Sequence, residues 1–401
     1  MNILLIMPYG SVGGMERLAF TFYNHYRSMG HKVKAVKLIK LESDIINFGQ
    51  DEYHFSDIDF SDMSKSNRAL FYLKAPLRLR KIIKKEKISH SISFGDMTNV
   101  FSSLTYTKEF KIASIHALKS VELSAKNMLN RIFELSYRTT YRNFDKVVCI
   151  SKAIKLDLQD NCGYTFNNLQ VIYNPHNVSQ IIELSKEKIT DNKELQIFSE
   201  DTILFLGRMS VQKAPWHLIN AFSKLSITKK TNLVFIGDGD DRVLDYLKKQ
   251  INDLKISDSV FFLGRRKNPY KYISSSTLLS LSSYYEGTPN VIVESLCLKT
   301  PVVSSNCTDG ILELMSIDQR DLIEHNNIMT EGGIVTPNLF KGDLSVPSEE
   351  TLNYASEEAS LSQGLQLGLE NATSLRNAIE NKYELLLSKF DLQNVTKQYL
   401  K

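Results

Sequence analysis

Short apolar runs of strand character alternate with helix-length amphipathic segments along almost the whole chain, and this alternation restricts the fold more than any other feature. "NILLIM" (residues 2–7) is followed by a glycine turn and a helical pattern from Met15 to Met29, then by "KVKAVKLI" (32–39). "SHSISF" (89–94), "KIASIH" (111–116) and "KVVCIS" (146–151) continue the series, each followed by polar or helical sequence. Strands fed by intervening helices pair in parallel, so the sequence predicts an α/β fold with doubly wound sheets. The pattern pauses after "VIYNPHN" (171–177), where residues 178–200 read as a charged helix and linker. It restarts with "TILFLGR" (202–208), "NLVFIGDG" (232–239), "VFFLGR" (260–265), "LLSLSS" (278–283) and "PVVSSN" (301–306). With 401 residues to place, two cores are expected. The first Rossmann-like domain is assigned to residues 1–178, the linker to 179–200, and the second domain begins at 201. Residues 333–358 carry two prolines and little periodicity and read as a surface loop before two closing helices, at about 360–388 and 391–400.

Composition narrows the class. The apolar fraction of 42% and charged fraction of 23% are those of a soluble globular protein. Cys149, Cys162, Cys297 and Cys307 form no Cys-x-x-Cys pair, which argues for reduced, packed thiols and a cytoplasmic location rather than disulfides or zinc. The run "ILLIM" follows Met1 and Asn2 without a basic leader and is too short to span a bilayer, so it reads as a buried strand. Charge is unevenly shared: residues 1–185 hold 25 Lys and Arg against 17 Asp and Glu, the remainder 24 against 28. A basic first half and an acidic second half suggest different partners for the two.

In doubly wound sheets, ligands sit where the carboxyl ends of strands meet the next loops, and four such loops carry candidate chemistry. "YGSVGGMER" (9–17) puts Gly13 and Gly14 at a helix start, where backbone and helix dipole favour an anion; a plain glycine turn is the alternative. "GRMSVQKAP" (207–215) offers Arg208 and Lys213, which either converge on one phosphate or are two solvated charges. "EGTPNVIVESLCLKTPVV" (286–303) places Glu286 and Glu294 on either side of a Thr-Pro-Asn corner. There Thr288 reads as a helix N-cap and Pro289 as the first helical residue, with free N–H groups around Asn290–Ile292. Glu294, more than a turn in, suits the two hydroxyls of a ribose, and Glu286 faces the other end of a ligand; an ordinary helix with exposed acids is the alternative. His116 closes a strand and either bonds a substrate hydroxyl or serves packing.

Together these residues resemble the retaining glycosyltransferases of glycosyltransferase family 4, which have the two-domain GT-B fold. The resemblance covers nearly the whole chain and rests on "GG-x-E-R" (13–17), "FDKVVCISKA" (144–153), "VIYNP" (171–175) and "FLGRMSVQK" (205–213). It continues through "FIGDG" (235–239), "FLGR" (262–265) and "EGTPNVIVE…TPVVSS" (286–305). It implies two Rossmann-like domains facing across a cleft, the second spanning 201–385, with a final helix at 386–401 packing back on the first. It implies a nucleoside-diphosphate sugar donor, a UDP-sugar being the commoner family choice, carrying a hexose or N-acetylhexosamine. Arg208 and Lys213 would hold the diphosphate and Glu294 the ribose. Glu286 would touch the transferred sugar, near Gly287, Thr288, Pro289, Asn290 and Val291. Gly13 and Gly14 would face the diphosphate, His116 would bond the donor sugar, and Arg265, ending "FLGR", falls in the same donor set. His116 and Glu286 are the expected catalytic pair. The family usually has Gly where this chain has Ala214, followed here by Pro215, which predicts a stiffer phosphate loop.

No cofactor or metal is expected: cations and a helix N-terminus stabilise the leaving diphosphate, and Asp238 and Asp240 fall in the family's usual Gly-Asp-Gly turn. A catalytically silent sugar-nucleotide or membrane-binding protein on the same scaffold remains the alternative. Residues 65–87 hold nine Lys and Arg against one Glu, interleaved with apolar residues. Lys74, Arg78, Arg80, Lys81, Lys84 and Lys85 either line an anionic membrane surface or form a solvated helix face. A second basic helix is expected at 121–141. The charge balance and motifs give no nucleic-acid signature. The expectation is therefore a cytoplasmic enzyme, peripheral at the inner membrane face, with a glycan or lipid-linked glycan acceptor.

Overall fold

The computed structural model describes residues 1–10, 14–123, 127–225, 230–308, 310–317, 326–347 and 356–401. These divide into two compact units, Met1–Pro175 with Gln393–Lys401, and His176–Leu392.

Among the described residues the first unit carries seven strands: β1 (Asn2–Met7), β2 (Lys32–Ile39), β3 (Glu52–Ser56), β4 (His90–Phe94), β5 (Phe110–Ile115), β6 (Lys146–Cys149) and β7 (Leu169–Val171). Their order is β3-β2-β1-β4-β5-β6-β7, all parallel. Strands buried on both faces read as continuous apolar runs, and residues 3–7 of β1 are fully buried. One face is covered by the helices Lys65–Lys85 and Met128–Arg138 through Phe71, Leu79, Ile83, Phe133 and Tyr137. The other is covered by Gly14–Ser28 and Leu392–Tyr399 through Phe22, Tyr26, Val395 and Tyr399. Tyr399 Oη lies 2.9 Å from Ser114 Oγ, and Tyr26 Oη donates to Thr396 O at 2.9 Å, so the end of the chain is part of this core. The strand β3, between a charged loop and the basic helix, has no counterpart in the sequence reading.

The second unit repeats the plan with β8 (Asp201–Leu206), β9 (Thr231–Ile236), β10 (Val260–Gly264), β11 (Leu278–Leu281), β12 (Val302–Ser305), β13 (Ile328–Thr330) and β14 (Gly333–Thr336). The order is β10-β9-β8-β11-β12-β14-β13, parallel except for the β13–β14 pair.

Four expectations need correction. The stretch read as a charged helix and linker holds two helices, Val178–Ser185 and Asn192–Phe198, and both group with the second unit. The start of the expected surface loop is β14, a fully buried strand paired with β12. The first closing helix is three helices, Ser356–Glu370, Ala372–Asn381 and Tyr383–Leu387. Similarly, the second basic helix is split into Lys119–Glu122 and Met128–Arg138.

Candidate donor site

The second unit's strand order reverses between β8 and β11, and at such a switch point two loops diverge and leave a crevice. The loop after β8 carries Arg208 and Lys213; the loop after β11 carries Ser282–Glu286. Side chains and backbone lace the two together. Tyr284 N–H donates to Gln212 O at 2.8 Å, Gln212 Nε2 to Tyr285 O at 3.1 Å, and Ser282 Oγ to Ala214 O at 3.0 Å.

Two expected residues meet here directly. Lys213 Nζ donates to Glu286 Oε1, which also accepts from Ser283 Oγ at 2.8 Å. Both side chains are largely buried, so each charge is compensated where water is scarce. Lys213 has three N–H donors and Glu286 takes one, leaving donors for a ligand oxygen. Arg208 is exposed at the mouth of the same loop.

The departure at Ala214 has a concrete setting. Ala214 sits in the left-handed region (φ 43°, ψ 52°) that favours glycine, at a cost of about 1–2 kcal/mol. Its N–H donates to Ser210 O at 3.0 Å, and Pro215 opens the helix Pro215–Ser223 at its first position. The loop therefore holds Lys213 through its surroundings rather than through glycine.

The helix after Glu286 runs Asn290–Cys297 and buries Ile292, Val293 and Leu296. Thr288 is not its N-cap: Pro289 takes that position with an extended ψ of 104°, and no side chain caps it. The residue before a proline is driven to extended backbone, which shifts the start of the helix past Thr288. Gly287 and Thr288 are half-buried, Pro289 is buried, Asn290 is exposed and Val291 is half-buried. Glu294 is half-buried one turn inside this helix.

Arg265 does not join the cluster. It follows β10, two strand spacings from β8, roughly 10 Å, and approaches Asp238 at 3.8 Å. Asp240 caps the helix Asp241–Asp253 by accepting from Arg242 N. Gly237 is required there because a Cβ would lie 2.0 Å from Gly207 O, which brings the β9 turn against the loop after β8.

In the first unit, the switch point lies between β1 and β4. Gly14 opens the helix after β1; Gly13 falls outside the described residues. His116 follows β5, one strand beyond the switch, packed 6.1 Å from the Phe94 ring. Burial lowers its pKa to about 3, with Lys119 adding to the effect, so the imidazole is neutral at working pH. Its Nε2 is buried without a partner among the described residues. Next to it Lys119 Nζ bonds Asp96 Oδ2 at 2.9 Å, and Tyr137 Oη donates to Asp96 Oδ1 at 2.6 Å.

Of the six expected membrane cations, Arg78 donates to Phe55 O at 2.7 Å and lies over its ring, and Lys85 lies over Tyr53. Lys74, Arg80, Lys81 and Lys84 are exposed. Ser282, Ser283 and Gln212 were missed by sequence reading; only the i, i+3 spacing of Ser283 to Glu286 marked any of them.

Two family models match the chain: "Glycosyltransferase Family 4" over residues 12–180 and "Glycosyl transferases group 1" over 186–329. A protein of Campylobacter jejuni described as N-acetylgalactosamine-N,N'-diacetylbacillosaminyl-diphospho-undecaprenol 4-alpha-N-acetylgalactosaminyltransferase is 25% identical over 99% of this chain and 98% of its own. An uncharacterized glycosyltransferase of Methanocaldococcus jannaschii is 27% identical over 61% of the chain; the match spans 62% of that relative's length. The crystal structure of Anabaena HepE in complex with UDP and glucose superposes with a TM-score of 0.72 at 17% identity, over 100% of this chain and 98% of that one.

Proposed function

Because the chain belongs to the family 4-like glycosyltransferases of the GT-B fold, we propose that it moves a sugar, with retention and without a metal ion, from a nucleoside-diphosphate donor to a lipid-linked glycan of the cell envelope. The observation that carries this reading is the meeting of Lys213 and Glu286 at the β8–β11 switch point, beside the exposed Arg208 and the helix bearing Glu294. A UDP-sugar is the donor we favour. HepE binds UDP on this fold, and the Campylobacter relative is named for a diphospho-undecaprenol acceptor.

The chemistry follows from these groups. Negative charge grows on the diphosphate as the glycosidic bond breaks, and Lys213 and Arg208 offset it in a partly water-excluded loop. Glu286, anchored by Lys213 and Ser283, is held toward the sugar. Neutral His116 accepts or donates one hydrogen bond to a sugar hydroxyl. The departing phosphate takes the acceptor's proton.

A thermal-shift titration with UDP, GDP and ADP tests the donor site. A nucleotide at about 100 times its dissociation constant adds roughly 2.7 kcal/mol of stability. The expected result is a shift with one nucleotide, UDP, that Glu294→Ala abolishes. No shift with any of the three would favour a silent scaffold.

Among the described residues no helix is long and apolar enough to cross a membrane; contact with a lipid-linked acceptor is placed on exposed faces of the first unit. Leu70, Leu73 and Leu77 point outward from the helix Lys65–Lys85 among its free cations, and Leu73 is 73% exposed. The helix Met128–Arg138 presents Met128, Ile132 and Leu135 at i, i+4, i+7. Both helices bury their inner sides in one core, so both outer stripes lie over the same sheet face. Apolar stripes flanked by cations suit an anionic leaflet. Each cation near such a surface contributes about 1 kcal/mol. Replacing Lys74, Lys81 and Lys84 by glutamine is therefore expected to weaken binding to phosphatidylserine vesicles about 100-fold in co-sedimentation, with no effect on neutral vesicles. Unchanged sedimentation would remove the membrane from the proposal.

A further inference from the structure

A second polar network lies behind the donor site and has no part in the chemistry described above. Tyr284, two residues before Glu286, is buried, and its hydroxyl lies 2.9 Å from His217 Nε2 and 3.3 Å from Trp216 Nε1. His217 Nδ1 lies 2.5 Å from Glu358 Oε1, and Asn220 Nδ2 donates to the same oxygen at 3.1 Å. Gln250 Nε2 in turn bonds Asn220 Oδ1 at 2.6 Å.

One proton arrangement suits every member. An indole N–H only donates, so the Tyr284 oxygen accepts from Trp216. The phenol proton then points to His217 Nε2, which leaves Nδ1 protonated and donating to Glu358. The imidazole tautomer is thus set by its neighbours, and the chain of bonds runs from Trp216 through Tyr284 and His217 to the carboxylate. Buried hydrogen-bonded chains of this kind favour a single geometry along their bonds.

The residues come from four places: the helix Pro215–Ser223, the helix Asp241–Asp253, the loop after β11, and the first turn of the helix Ser356–Glu370. Earlier in the chain lies the stretch that carried two prolines and little periodicity in the sequence. Its described part folds over the network. Leu339 is buried in the second unit's core, the Phe340 ring lies 5.4 Å from Tyr284, and Lys341 Nζ bonds Glu357 Oε1 at 2.5 Å.

We propose that Glu358 and His217 are positioning residues for donor binding: acting through the Tyr284 hydroxyl, they fix the turn from Tyr284 to Pro289 that presents Glu286, and the segment 337–346 covers them. This rests on the donor-site reading above. The network supplies no group to the proposed chemistry and adjoins the donor site through this turn and the Lys213 loop, so its effect appears in affinity.

The test uses the full chain and the nucleotide that stabilises the wild type. Tyr284→Phe removes one hydroxyl and keeps the ring; it is expected to raise the nucleotide's dissociation constant about tenfold. Glu358→Ala is expected to do the same. Glu358→Gln keeps an oxygen that accepts from His217 and Asn220, and is expected to stay within threefold of wild type. Trp216 is the chain's one tryptophan, so its emission reports whether the Tyr284 bond is lost; a shift to shorter wavelength is expected in Tyr284→Phe. Dissociation constants unchanged in Tyr284→Phe and Glu358→Ala, with only melting temperatures lowered, would overturn the proposal and leave the network a packing feature. So would Glu358→Gln as damaging as Glu358→Ala. A wild type that binds no nucleotide overturns the donor-site reading, and this inference with it.

Discussion

Replacing Lys213 with methionine is expected to slow sugar transfer about a thousandfold, because a charge aimed at the leaving group's developing negative charge is worth that order of rate. The same change strands Glu286, whose side chain is 9% exposed and keeps only the Ser283 hydroxyl. An uncompensated buried acceptor of this kind costs about 1–3 kcal/mol. The two effects separate experimentally. Melting temperature reports the stranded carboxylate, whereas kcat/KM for released nucleotide reports the lost cation. Lys213→Met combined with Glu286→Gln is expected to recover stability without recovering rate. Transfer within threefold of wild type in the single variant would mean that the diphosphate is held elsewhere.

The largest stability effect is expected from a residue outside the chemistry. Lys37, on β2, is 1% exposed and has three acceptors: Asp44 Oδ2 at 3.0 Å, Glu52 Oε2 at 3.1 Å and Ile46 O at 2.5 Å. Asp44 also accepts from Gly10 N at 3.2 Å, which ties the loop after β1 to this cluster. Lys37→Met leaves two buried carboxylates with no shared cation, and breaking a buried pair from one side costs about 3–5 kcal/mol. Urea denaturation extrapolated to water is the measurement. Adding Asp44→Asn and Glu52→Gln is expected to restore much of the loss, since neutral amides need no counter-charge. A loss below about 1 kcal/mol in the single variant would show that water reaches the cluster.

The fold was legible where strands are buried on both faces. β1, β8 and β9 announce themselves as unbroken apolar runs, because both sides of a parallel strand meet helices. The edges were not legible. β3 reads "EYHFS", half polar, since only part of it is covered. β14 was hidden by Gly333, which looks like loop punctuation but is a strand residue: a Cβ there would lie 2.0 Å from Val302 O. In the site, the spacing of Glu286 and Glu294 was visible, as was the cation pair at Arg208 and Lys213. What sequence could not give is that Lys213 binds Glu286 across two loops, or that His217, Tyr284 and Glu358 meet. Those contacts join residues up to 141 positions apart and leave no local pattern.

The fate of the last helix bears on how the protein is made. Val395 and Tyr399 fill the first unit's core, yet they are synthesised after the entire second unit. At about 5–20 residues per second, translation from Pro175 to Tyr399 takes roughly 10–45 s. For that interval the nascent first unit has its strands and most of its helices, while Phe22 and Tyr26 lack their last cover. The first half of the chain therefore waits with part of one sheet face uncovered until the final helix is made.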